Sequence, residues 1–227
     1  RSNSLDDYYN IICKYSNYKD SENIKKLVIA PINNYNQNCD YMYNNDFLFK
    51  MPDLKMTNQY QNYKKSDKLN IILIVGTLWN YKGQIDFLND IRSEFIKKYI
   101  LLFIGKEYDY KFKECLKIAT KKNIKLICIP FIQSKDLYKI VRKCSYQISY
   151  CQNKLLDPNP RSITEGLYAG LPFLVSEYVI IPKIIQNNSK IGYMCKVNNK
   201  KDLNEKILKL LKLDSCYLEN FVKNNLE

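Results

Sequence analysis

Residues 70–83, Asn70-Ile71-Ile72-Leu73-Ile74-Val75-Gly76-Thr77-Leu78-Trp79-Asn80-Tyr81-Lys82-Gly83, decide the fold. The unbroken run from Ile71 to Val75 is too apolar for a strand with one wet face, and Gly76 permits a tight turn at its end. A helical pattern comes next over Gln84–Lys97, with Ile85, Leu88, Ile91 and Phe95 on one face. A fully buried strand feeding a single amphipathic helix is the unit of a parallel sheet covered on both sides.

The alternation repeats along the chain. Further strands are expected at Tyr99–Gly105, Lys125–Pro130, Tyr146–Cys151 and Phe173–Ser176, with a short one at Gly192–Cys195. Helices are expected near Tyr110–Lys122, Lys135–Lys143, Ser162–Ala169 and Lys201–Lys212. Right-handed crossovers then give an α/β fold, a Rossmann-like parallel sheet with helices on both faces, over residues 70–227. Residues 1–69 read poorly. A helix–strand pair between Tyr8 and Pro31 precedes an Asn/Tyr/Lys-rich stretch, Asn33 to Lys65, taken as loop.

Composition narrows the chemistry. The 227 residues are 46% hydrophobic, enough for a real core, so wholesale disorder is excluded. There is no histidine, which removes Ser-His-Asp and Cys-His nucleophile systems and any His-ligated zinc. No apolar run approaches the ~20 residues of a membrane span. The opening residues Arg1 to Asp7 lack an apolar core, so no secretory signal is expected, and a first residue other than Met suits a fragment. Eight cysteines show no CxxC pair and no framework spacing, which suits free thiols in a reducing compartment, Cys128 among them in an apolar run. A purely Cys-ligated zinc stays open on composition alone.

The net charge of +13 is unevenly spread. Residues 1–69 hold ten cations and eight anions, residues 70–227 hold 26 and 15. Lysine outnumbers arginine 32 to 4, as in an AT-rich coding genome, but codon bias does not create an excess of cations. The field of residues 70–227 should attract phosphates, nucleic acid or an anionic membrane.

In a doubly wound sheet, ligands bind outside the carboxyl ends of the strands, so the loops there are informative. The first, Gly76 to Gly83, places Lys82 at a helix start, where a cation sits beside unpaired amides. It is neither GxGxxG nor a Walker A loop, and an ordinary turn with a solvated lysine reads as well. The second is Asp157-Pro158-Asn159-Pro160-Arg161-Ser162-Ile163-Thr164-Glu165-Gly166-Leu167-Tyr168-Ala169-Gly170-Leu171-Pro172. Its prolines keep the chain extended until a helix starts near Ser162, a candidate N-cap. Arg161 stands at that helix end, Glu165 comes about a turn later, and Gly170-Leu171-Pro172 ends the helix. A capped helix with an early glutamate favouring the dipole is the plainer alternative.

Together, the two loops resemble the donor-binding domain of retaining GT-B-fold glycosyltransferases of family 4 (glycosyl transferases group 1). Many members carry E-G-x-P-R-S-x-x-E-A-x-x-x-G-x-P, where this chain has Asp157-Pro158-Asn159-Pro160-Arg161-Ser162, Glu165-Gly166, Gly170 and Pro172. Phe131 to Tyr138 also resembles the family's strand–turn–helix before the fourth strand. The resemblance spans roughly residues 70–212. It implies a nucleotide-diphosphate sugar as substrate, bound by Gly76, Thr77, Lys82, Ile129, Phe131, Arg161, Ser162 and Glu165. Lys82 would neutralise the pyrophosphate, amides around Arg161 and Ser162 would cradle the distal phosphate, and Glu165 would hold the ribose. The base would sit near Ile129–Phe131, and Asp157 would face the transferred sugar. Asp157, Lys82 and Arg161 are the expected catalytic residues. Neither a cofactor nor a metal is expected, because fixed cations and helix dipoles can stabilise the leaving diphosphate.

Three departures stand out. Thr77 replaces the arginine usual after the glycine, Asp157 replaces a glutamate, and Pro158 replaces a glycine. Residues 1–69 are read as a remnant of an N-terminal domain and linker, so the chain is expected to supply mainly the donor-binding half, with a missing domain or partner subunit completing it. A glycan, lipid or protein acceptor is expected. So is a cytoplasmic location, with a peripheral membrane contact through the lysine-rich helices left open. Alternatives are a basic nucleic-acid-binding module, disfavoured because no RRM, KH, zinc-finger or OB pattern appears, a catalytically silent scaffold of the same fold, and an epimerase or phosphorylase.

Overall fold

The computed structural model describes residues 68–227 apart from 79–81, 108–110, 131, 133, 153–160, 180, 182–186, 215–216, 219–220 and 222–227, with backbone alone at 134–136 and 161. The readings of residues 1–67, of Phe131 and of Asp157 lie outside the described residues.

Six parallel strands form one sheet: β1 (Ile71–Val75), β2 (Ile100–Ile104), β3 (Leu126–Ile129), β4 (Tyr146–Ser149), β5 (Phe173–Ser176) and β6 (Gly192–Cys195). Their order is β3-β2-β1-β4-β5-β6. The helices are α1 (Gln84–Asp90), α2 (Ser93–Ile96), α3 (Lys111–Lys121), α4 (Ser134–Val141), α5 (Arg161–Tyr168) and α6 (Lys200–Leu210). Alternate strand residues feed opposite cores, as the side-chain period of two requires. Ile72, Ile74, Leu101 and Phe103 pack with Phe87 and Leu88 of α1, Cys115 of α3 and Leu203 and Ile207 of α6. Ile71, Leu73, Ile100 and Leu102 face the other way, onto Leu137, Ile140 and Val141 of α4. Val175 and Phe173 meet Ile163 and Leu167 of α5 on that same side. The expected Rossmann-like architecture is therefore the observed one.

One expected element divides. The helix read over Gln84–Lys97 stops at Asp90 and resumes at Ser93, with Ile91 extended at φ −68°, ψ 138°. Distant side chains compensate the break. Lys122 Nζ donates to the carbonyls of Leu88 (2.7 Å), Asn89 (2.8 Å) and Ile91 (2.5 Å), three oxygens around the end of α1. Asn204 of α6 accepts from Arg92 N–H through Oδ1 (2.7 Å) and donates through Nδ2 to the Asp90 carbonyl (2.9 Å). Tertiary hydrogen bonds thus override helical periodicity here.

The short helix α5 is fastened with unusual redundancy. Gln147, buried on β4, donates through Nε2 to the carbonyls of Ile163 (3.0 Å) and Leu171 (3.2 Å), bracketing the helix from both ends. Gly166 lies so close that an added Cβ would overlap the Gln147 amide group. At the far end Gly170 is left-handed (φ 70°), with Gly170 N–H on the Leu167 carbonyl and Leu171 N–H on the Gly166 carbonyl, both 2.9 Å. This is a Schellman ending. Lys68 Nζ then takes the Ala169 (3.1 Å) and Gly170 (2.6 Å) carbonyls, a cation at the negative end of the helix dipole.

Two testable consequences arise from this packing. Gly166→Ala should destabilise by about 1–3 kcal/mol, because overpacking outweighs the gain in helix propensity. A lowered denaturant midpoint with unchanged slope checks this, and a raised midpoint would contradict it. The buried Cys115, Cys128, Cys144 and Cys195 are free thiols. Burial pushes the thiols of Cys115, Cys144 and Cys195 up to about 12, and that of Cys128 upward as well. The thiolate is the nucleophile, so these four should resist iodoacetamide at pH 8 in the folded chain and react fully in denaturant, read by mass spectrometry.

Candidate functional site

The chain leaving β1 runs toward β2, and the chain leaving β4 runs toward β5, so the connections part between these two strands. The ladder reflects this: β1 pairs with β2 along its whole length to Val75↔Ile104, but with β4 only at Ile72↔Tyr146 and Leu73↔Gln147. The β1–β4 ladder ends at Leu73, and in this architecture the crevice outside the carboxyl ends at such a parting is the general ligand position.

The β1 turn is drawn into that crevice by close backbone contacts. Gly76 has φ 154°, and its carbonyl lies where a Cβ on Gly105, just past β2, would have to go. Thr77 offers its carbonyl to Gln84 Nε2 (3.1 Å), so a buried side chain of α1 holds the turn from behind. Lys82 is half-buried at the end of the turn. Gly83 is the N-cap of α1, left-handed at φ 66°, and a Cβ there would overlap the Tyr150 carbonyl and stand 2.9 Å from Gln152 Cγ. Lys82 is therefore carried directly across the end of β4.

From the other side comes α5. It begins at Arg161, one residue before the expected start, so Ser162 is the second helical residue and not the cap. The chemistry is unchanged, because the amides of residues 161–163 lie in the first turn and have no intrahelical partners. Glu165 is buried at 7% exposure and accepts a hydrogen bond from Tyr138 Oη at 3.2 Å. Tyr138 belongs to α4, the helix that begins just after β3 ends, so the carboxylate is tied to the wall nearest Ile129. Ile129 itself gives its side chain to the core and its carbonyl to Gly105 N–H (3.1 Å). A group docked there meets the backbone at the strand end, not the isoleucine side chain. The distance from β1 to β3 is two strand spacings, about 10 Å, comparable with the reach from a phosphate to a base.

Gly76, Thr77 and Lys82 thus follow the carboxyl end of β1, α5 follows that of its neighbour β4, and Glu165 of α5 is joined to Tyr138 of α4. Gln147, Lys68 and Gln152 escaped the sequence reading, and Tyr138 entered it only as the end of the Phe131–Tyr138 segment, without a role. Each sits outside the two motifs, and only an isolated polar residue in an apolar strand, Gln147, left any trace in the pattern. A hollow of about 220 Å³ lies beside the β1 turn between α1 and α3, lined by Leu78, Gln84, Asp86, Lys111, Glu114 and Cys115 among others. Burial there holds the Asp86 carboxyl above its ordinary value, with Asp90 and Glu114 adding to the effect. It has no connection to α5. Among the described residues no cluster of three or more Cys, Asp or Glu side chains could hold a metal, and no helix is long and apolar enough to cross a membrane.

Comparison with known proteins agrees with this layout. Solved structures share the fold at low identity. WaaG, a glycosyltransferase involved in lipopolysaccharide biosynthesis, aligns with a TM-score of 0.51 and 18% identity over 77% of this chain and 46% of its own. The catalytic domain of cholesterol-α-glucosyltransferase from Helicobacter pylori aligns at 0.52 and 21% over 68% of this chain and 92% of its own. A mutant of S. aureus TarM, solved with fondaparinux, α-GlcNAc-glycerol and UDP, aligns at 0.57 and 16% over 74% and 35%. The chain thus spans less than half of WaaG and TarM. No curated protein matches it by sequence. The family model described as glycosyl transferases group 1 matches residues 55–227, which contain both loops and the whole sheet, and the chain belongs to that family.

Proposed function

We propose that this chain provides the donor-binding half of a glycosyltransferase, which moves a sugar from a nucleotide-diphosphate sugar to a glycan, lipid or protein acceptor with retention of configuration. What supports the reading is that the Lys82 turn follows β1 and α5 follows β4, neighbouring strands whose connections part at their carboxyl ends. A diphosphate placed there meets a cation on one side and a helix N-terminus on the other. Glu165, held by Tyr138, supplies a carboxylate for ribose hydroxyls, and the base extends toward the end of β3. The UDP bound to TarM supports a nucleoside diphosphate as the common element.

In this reading catalysis is stabilisation of the departing diphosphate. Negative charge accumulates on its bridging oxygen as the sugar bond breaks, and Lys82, Arg161 and the α5 amides meet it with charges already in place. The attacking hydroxyl enters on the same face and passes its proton to the departing phosphate, so a chain without histidine needs no imidazole base. Asp157, by its place in the motif, is assigned to the sugar ring. The same fixed charges carry the load without a metal. A reducing, cytoplasmic setting fits the free cysteines.

Calorimetry with UDP, GDP and ADP tests the site. One of them should bind, and Lys82→Ala and Glu165→Ala should each weaken it by about 1–3 kcal/mol, the cost of a lost hydrogen bond to a charged group. Glu165→Ala also strips the buried Tyr138 hydroxyl of a partner, so circular dichroism must show that variant folded at the titration temperature. Unchanged affinity in both folded variants would refute the assignment. Salt-sensitive binding to oligonucleotides with none to a diphosphate would restore the nucleic-acid reading.

A further inference from the structure

Gln152 lies just past the end of β4, beneath the turn that carries Lys82. Its Nε2 atom is buried and has no hydrogen-bond partner among the described residues. Such an atom is unusual, because most buried polar side-chain atoms are paired and an orphaned donor loses its hydration without compensation. A leucine would fill the same space without that cost. The position is equally specific: Gln152 Cγ would be 2.9 Å from a Cβ on Gly83, so the side chain packs against the residue next to Lys82. The side chain carrying the amide donor therefore packs against the residue that follows Lys82.

We propose that Gln152 is a donor-contacting residue whose side-chain amide donates to a non-bridging oxygen of the diphosphate beside Lys82. This rests on the donor-site reading and deepens it. The nitrogen is covered by protein in this structure, so the bond forms as the Gln152 amide rotates toward the phosphates while the Gly83 contact stays in place. A neutral donor suits this place: it orients the oxygens without adding a second cation that would hold the product diphosphate too tightly.

The test uses the 227-residue chain, the nucleoside diphosphate it binds among UDP, GDP and ADP, and the variants Gln152→Leu and Gln152→Glu. Gln152→Leu should weaken binding at least tenfold while its unfolding temperature without ligand stays equal or rises, since an unpaired buried donor has been removed. Gln152→Glu keeps the shape but sets a carboxylate against the diphosphate, so it should bind more weakly than Gln152→Leu. Wild-type binding with undiminished affinity in Gln152→Leu overturns this proposal and leaves the donor site standing. So does Gln152→Glu binding as well as or better than Gln152→Leu, which would mark a contact to hydroxyl groups or a purely structural role. Absence of wild-type binding to all three nucleotides overturns both readings together.

Discussion

The separation of β1 from β4 beyond Leu73 is the constraint on which the rest depends. Parallel strands whose connections leave in opposite directions cannot close the space between their carboxyl ends with their own loops. What the chain can do is narrow it, and it does so where side chains are absent. Gly105 admits the carbonyl of Gly76, and Gly83 admits the carbonyl of Tyr150. Any β-carbon at either place would push the Lys82 turn outward. The cation would then stand away from the end of β4, and a diphosphate could touch the turn or α5 but not both.

The second wall is built on a different principle. An isolated eight-residue helix has little stability of its own in water, so α5 stays where tertiary contacts put it. Gln147 grips its inner face, Tyr138 meets Glu165 and Lys68 covers its last carbonyls. Lys68 and Lys122 use one device twice: an ammonium group donates to carbonyls at a helix end, where the dipole is negative and the oxygens lack partners. The cost shows at Lys122, where burial lowers the pKa of the amine against the pull of Asp90. For α5 these bonds hold the inner face and the carboxyl end and make no contact with the amides of its first turn.

The strands were legible because burial on both faces demands continuous apolar runs, and no other element of this length reads as Ile71-Ile72-Leu73-Ile74-Val75 does. Gly170 was legible for a related reason, since a helix followed by Gly-Leu-Pro has few other ways to end. The break at Ile91 was not, because periodicity is local and the bonds that stabilise the break come from Lys122 and Asn204, far along the chain. Of the site, Lys82 and Glu165 stood in recognisable loops. Tyr138, Gln147 and Gln152 stood in an ordinary helix, strand and strand end, and only the fold shows that each borders α5 or the β1 turn. Sequence patterns expose what repeats; single hydrogen bonds between distant elements do not repeat.

Net charge also has a limited meaning here. The excess of cations in residues 70–227 raises the local concentration of any anion, but that field reaches only about 8 Å into physiological salt. It draws phosphates to the surface without choosing among the lysines, most of which are flexible and strongly hydrated. Selection requires a cation held next to oriented donors in a place water leaves easily. In the proposed reading that place is the parting of β1 and β4, with close backbone contacts at Gly83 and Gly105 beside it. The lysine-rich composition therefore accounts for attraction, and the parting of two strands accounts for where the attracted group would stop.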